Sequence, residues 1–191
     1  VREKDGTFKR RRRNRKKALI IDFELACWHG HPPKGYRQDI IEIGVCTYEY
    51  KIQTISQPES ILIKPEKSII SPFCTKLTSI TQDMVDQEGI PLKDAINLLV
   101  DKYDSNRRLW LSWGEHDKKF IERDCRYYKL PNPFHIQHID ARELFCMKHV
   151  DEPSVKNALK KLGMEFEGTP HRAADDAYNT ARILKKIIWT E

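Results

Sequence analysis

Residues 18–25 read ALIIDFEL: a run of apolar side chains interrupted only by Asp22 and Glu24. A short apolar run bounded by charge predicts a buried β-strand. Side chains in a strand alternate between faces, so Asp22 and Glu24 emerge together while Ile21 and Phe23 point the other way. Two acids on one face of a buried strand repel each other and resist loss of water unless cations accompany them. An ordinary exposed pair at a strand end is the competing reading of DxE taken alone. Hard divalent ions with oxygen ligands, Mg²⁺ or Mn²⁺, are the natural counter-charge.

The rest of the chain supplies a scaffold for that strand. DIIEIGVCTYEYKI (39–52) and ESILIKPE (59–66) are rich in β-branched residues and predict a hairpin extending the sheet, joined through the polar QTISQP stretch. Residues 71–89 predict two short helices, capped by Ser71 before Pro72 and by Thr81 before Gln82. Pro91 opens a longer amphipathic helix, RRLWLSW predicts a fourth strand, and a helix follows from about Asp117. FHIQHID (134–140) predicts a fifth strand, and helices follow over 154–163 and 173–188. A strand meander followed by alternating strands and helices implies a mixed, five-stranded α/β sheet flanked by helices.

Two further stretches carry chemistry. Asp117 in SWGEHDKKFI lies where a strand hands over to a helix, a frequent place for site residues and equally the place for a helix-capping acid. HRAADDA (171–177) offers two adjacent acids at the start of the last helix. Asp176 shares its stripe with Thr180, Ile183 and Ile187 on the flank of the buried face. Asp175 shares its stripe with Tyr178, Asn179, Arg182 and Lys186, which predicts a solvent-facing row, so Asp176 is the better ligand. His171 precedes the helix on a segment expected to be mobile, and histidine suits proton transfer near neutrality.

Composition bounds these readings. The 191 residues are enough for one domain with a real core. No apolar run approaches the roughly 18–20 residues needed to cross a bilayer, and no secretory signal is evident, so no membrane partner is expected. Ten of the 34 Lys and Arg but only two of the 28 acids fall in residues 1–17. The excess charge is therefore a basic arm on a nearly neutral body that spans 18–191. Such an arm attracts nucleic-acid phosphates without sequence preference and reads equally as a nuclear-address peptide. Five scattered cysteines with no CxxC pair predict reduced thiols, mostly in the core, and an intracellular, cytoplasmic setting, with the nucleus open through the arm.

Together, DxE on the first strand, an acid after the fourth, and HxxxxD at the last helix resemble the pattern of the DEDDh 3′-to-5′ exonucleases, a branch of the ribonuclease-H-like fold. The blocks DFELACWHGHPP, QDIIEIG, SPFCTKLTSITQDMVD and LGMEFEGTPHRAADDAYNTARIL resemble the Eri-type exoribonucleases and the bacterial KapD group. The resemblance implies that Asp22, Glu24, Asp117 and Asp176 hold two divalent metals, Mg²⁺ or Mn²⁺. It also implies catalytic roles for Glu24 and for His171, the latter as general base. Leu25, Ala26, His116 and His171 would contact the terminal nucleotide. His116 departs from the aromatic residue that relatives can carry there, and the separate SAP module of the Eri type is absent from this sequence. The implied substrate is nucleic acid with a 3′ end, RNA favoured over DNA. A catalytically silent binding module and a DNA proofreading or repair exonuclease are the alternatives.

Overall fold

A computed structural model describes residues 17–149 and 153–189. The basic arm lies outside the described residues, apart from Lys17. Among the described residues, six strands form one mixed sheet: β1 (Lys17–Leu25), β2 (Ile40–Glu49), β3 (Thr54–Ile55), β4 (Glu59–Leu62), β5 (Trp110–Ser112) and β6 (His138–Asp140). β2 is antiparallel to β1, β3 and β4, whereas β5 runs parallel to both β1 and β6. The sheet order is β3-β2-β1-β5-β6, with β4 paired to β2 beside the β3 position. The expected five strands are present. The sixth, β3, arises because the QTISQP stretch returns far enough for Thr54 and Ile55 to pair with Glu49 and Tyr48.

Among the described residues, seven α-helices surround the sheet: α1 (Pro72–Thr78), α2 (Gln82–Gln87), α3 (Leu92–Tyr103), α4 (His116–Tyr128), α5 (Ala141–Cys146), α6 (Val155–Lys161) and α7 (Ala173–Trp189). The two predicted caps form as expected. The Ser71 hydroxyl accepts from the Cys74 N–H, and the Thr81 hydroxyl accepts from the Met84 N–H, each worth about 1 kcal/mol.

The alternation along β1 sorts the core into two layers. Leu19, Ile21 and Phe23 pack with Ile43 and Val45 against α3 and α4. Ala18 and Ile20 pack with Cys46 and Tyr48 against α5, α6 and α7. Asp22 and Glu24 continue the even-numbered row, so they face the α7 side. A third cluster, including Ala26, Ile41, Cys74, Ile80 and Val85, seats α1 and α2 below the end of β1.

Gly44 sets how closely α7 approaches. A Cβ at this position would stand 1.9 Å from the Ala173 carbonyl oxygen. No side chain fits there, and its absence lets the start of α7 abut β2.

Of the five cysteines, Cys46, Cys74 and Cys125 are buried as expected, while Cys27 and Cys146 are partly exposed. Among the described residues, no helix is long and apolar enough to cross a membrane.

Candidate active site

β1 and β5 pair only at Leu19–Trp110 and Ile20–Leu111. Beyond Ile20 the parallel strands part, and the crevice at their carboxyl ends is where α/β sheets place ligands. The Phe23 N–H, left without a β5 partner, donates to Asp117 Oδ1 at 3.0 Å. Asp117 comes from the first turn of α4 and is buried. Across the same strand end, α7 delivers Asp176. Carboxylate oxygens of Asp22, Glu24 and Asp176 lie within 4.8 Å of one another, each residue partly buried. The sequence-predicted acids thus converge on one end of β1, three as a tight group and Asp117 bonded to its backbone.

Their electrostatics match that crowding. Burial, then the charges of Asp117, Asp176, Glu24 and Glu42, hold the Asp22 carboxyl well above its usual range. Burial, followed by Asp176, Glu42 and Asp117, pushes Glu24 up to about 9. Burial raises Asp117 to about 7 against the opposing Phe23 N–H bond, and burial raises Asp176 to about 6. An oxygen-only set of clustered, mutually repelling carboxylates fits a hard divalent cation.

The sign of the pH dependence follows. In metal-free protein the folded state retains protons on Asp176, Asp117 and Glu24 that an unfolded chain releases near pH 4. From about pH 4 to 9 the folded state therefore binds more protons, and stability falls as pH rises. In EDTA, melting temperature is expected to drop between pH 5 and pH 9, and Mn²⁺ should raise it more at pH 8 than at pH 5.5. A flat or rising profile in EDTA would contradict the clustered, partly protonated site.

His171 is exposed and is separated from the start of α7 by Arg172 alone, with φ +62. Its backbone N–H donates to Asp176 Oδ2 at 2.8 Å, which fixes that carboxylate while leaving the imidazole outward. Of the residues the resemblance assigns to the terminal nucleotide, Leu25 and His116 lie at element ends. Leu25 ends β1 at a register shift, and His116 is exposed at the start of α4, its ring 5.9 Å from that of Phe120. Ala26 is fully buried and gives its N–H to the Asp39 carbonyl.

The Asp175 stripe is not the solvent-facing row that periodicity predicts. Asn179 is fully buried, with Oδ1 accepting from the Glu167 N–H and Nδ2 donating to the carbonyls of Glu167 and Asp175. Arg182 bonds the Glu165 carbonyl and pairs with Glu167, and Asp175 accepts from the Thr169 N–H. The segment before α7 folds back over this face. Gly168, at φ +89, runs so close to the Asp175 carboxyl that a Cβ would clash at 2.3 Å.

Sequence reasoning missed one residue of the site region. Glu42 faces Glu24 across the β1–β2 register and is wholly buried. The signal was available: an acid inside the continuous apolar run IIEIG must have a committed partner.

The sequence matches the RNase T family model, described as exonuclease, over residues 19–184. This chain belongs to that exonuclease family. Mouse 3′-5′ exoribonuclease 1 is 32% identical over 180 residues, covering 88% of this chain and 52% of the mouse protein. The Drosophila melanogaster 3′-5′ exonuclease Snipper is 28% identical over 193 residues, covering 89% of this chain and 68% of that protein. Among solved structures, the nuclease domain of 3′hExo, a DEDDh family member bound to rAMP, superposes with a TM-score of 0.82 at 29% identity, covering 92% of both chains. The chain spans about half the length of the mouse exoribonuclease it matches. The DEDDh resemblance and the ribonuclease-H-like architecture expected from the sequence are both borne out.

Proposed function

We propose that this chain is a divalent-metal-dependent 3′-to-5′ exonuclease that removes nucleoside 5′-monophosphates from the 3′ end of RNA. The observation that carries the proposal is the convergence of Asp22, Glu24 and Asp176 within 4.8 Å at the open end of β1. The resemblance to an exoribonuclease and to a nuclease domain bound to rAMP supports RNA as substrate. Asp22, Glu24, Asp117 and Asp176 hold two Mg²⁺ or Mn²⁺ ions in this reading. When bound, such ions make water more acidic and neutralise charge on the departing 3′-oxygen.

The chain's own residues do the rest. The exposed imidazole of His171 takes the proton of the attacking water, and Glu24, on the same strand face as Asp22, orients that water. The bond Asp176 accepts from the His171 N–H keeps base and carboxylate in fixed relation. Leu25, Ala26, His116 and His171 surround the terminal nucleotide. Residues 18–191 form the nuclease domain in this proposal, and the basic arm before it grips phosphates further from the 3′ end. An intracellular site of action suits an RNA substrate.

The test is a time course on 5′-labelled single-stranded RNA and matched DNA, with Mg²⁺, Mn²⁺ or EDTA. A ladder shortening from the 3′ end, dependent on metal and faster on RNA, is the expected result. Faster digestion of DNA would overturn the sugar preference. Binding without cleavage under any metal would replace the enzyme by a silent binding module.

A further inference from the structure

Glu42 brings a fifth buried carboxylate to the crowded end of the sheet, and all its oxygen contacts are filled. Oε1 accepts from Arg172 Nη2 at 2.8 Å, from Arg172 Nε at 3.2 Å and from the Ser60 hydroxyl at 2.5 Å. Oε2 accepts from Arg172 Nε at 3.2 Å and from the Ala173 N–H at 2.9 Å. Four donors making five contacts leave this carboxylate no free direction toward a cation. It is a clamp, and what it clamps is the entry to α7.

That entry is where two site residues take their positions. Arg172 lies between His171, in the left-handed region, and Ala173, the first residue of α7. The Arg172 carbonyl accepts from the Asp176 N–H at 2.9 Å, and Asp176 in turn accepts from the His171 N–H. Fixing residue 172 therefore fixes both neighbours. The lack of room beside Gly44 leaves the helix start seated directly on β2, next to the strand that carries Asp22 and Glu24.

We propose that Glu42 and Arg172 are positioning residues that lock the start of α7 onto β2, so that Asp176 and His171 meet the Asp22–Glu24 pair in register. The inference rests on the exonuclease reading for its effect on rate, but not for its effect on metal binding. The planar guanidinium makes three of the five contacts, and a lysine ammonium cannot reproduce that fork.

Arg172→Lys is expected to melt close to wild type while weakening Mn²⁺ affinity, measured by calorimetry, about tenfold or more. Its kcat on RNA at saturating Mn²⁺ should fall by a similar factor, with KM within about threefold of wild type, as loss of an outer-shell partner typically costs 10–100-fold. Glu42→Gln/Arg172→Met, which leaves no unpaired buried charge, is the second variant, and it should show the same two losses in a stably folded protein. Wild-type Mn²⁺ affinity in either folded variant overturns the lock, whatever happens to kcat. Recovery of both quantities in the double variant overturns it too, because a merely stabilising ion pair would be replaceable by a neutral one. If wild type binds Mn²⁺ but digests no RNA, the exonuclease reading fails, and the Mn²⁺ titration still decides the lock.

Discussion

Asp22→Asn is expected to fold and to digest RNA on the order of 10⁴-fold more slowly than wild type, a barrier increase of about 5.5 kcal/mol. Asparagine keeps the shape of the side chain and removes the charge. Asp22 lies nearest the centre of the repulsion, since its carboxyl responds to Asp117, Asp176, Glu24 and Glu42 together. The same crowding gives the substitution a second, opposite signature. Metal-free Asp22→Asn should melt above metal-free wild type at pH 8, by about 2–4 °C for each kcal/mol of repulsion relieved. Mn²⁺ should then stabilise the variant much less than wild type. Turnover within tenfold of wild type would remove Asp22 from the metal site, and a lower melting point in EDTA would deny the repulsion.

His171→Asn is the second large effect, with kcat expected to fall roughly 10²–10⁴-fold, the range typical of losing a general base. Asparagine suits the test because it tolerates the left-handed backbone at this position. The bond to Asp176 comes from the backbone N–H, not the imidazole, so the variant retains it. Mn²⁺ affinity should therefore stay within about twofold of wild type while turnover collapses. That split separates a proton acceptor from a residue that merely shapes the metal site. Undiminished kcat would end the general-base assignment; a parallel loss of Mn²⁺ affinity would make His171 a structural support of Asp176.

What could be read from the chain divides along the range of the forces involved. Strand alternation placed Asp22 and Glu24 on one face, and helical spacing separated Asp176 from Asp175, because both depend only on local geometry. The caps at Ser71 and Thr81 were legible for the same reason. Asn179 was not. Its place in the stripe is right, but only the return of the 165–168 segment, seated against α7 through Gly168 and Arg182, turns that stripe inward. β3 escaped because two residues carry too little pattern to distinguish a strand from a turn. Arg37 pairs with Asp39 and Asp124 and lies over the Tyr127 ring, contacts that no local pattern forecasts. Those partners lie far along the chain or outside any helical or strand repeat.

The carboxylate cluster also has a history in time. Two of its members belong to the first strand and the third to α7, with every other described element between them. A ribosome working at 5–20 residues per second needs roughly 8–30 s to pass from residue 22 to residue 176. Throughout that interval the nascent chain carries an incomplete site beside the message being translated. Under the proposed chemistry it stays inert toward that message until α7 has emerged and docked.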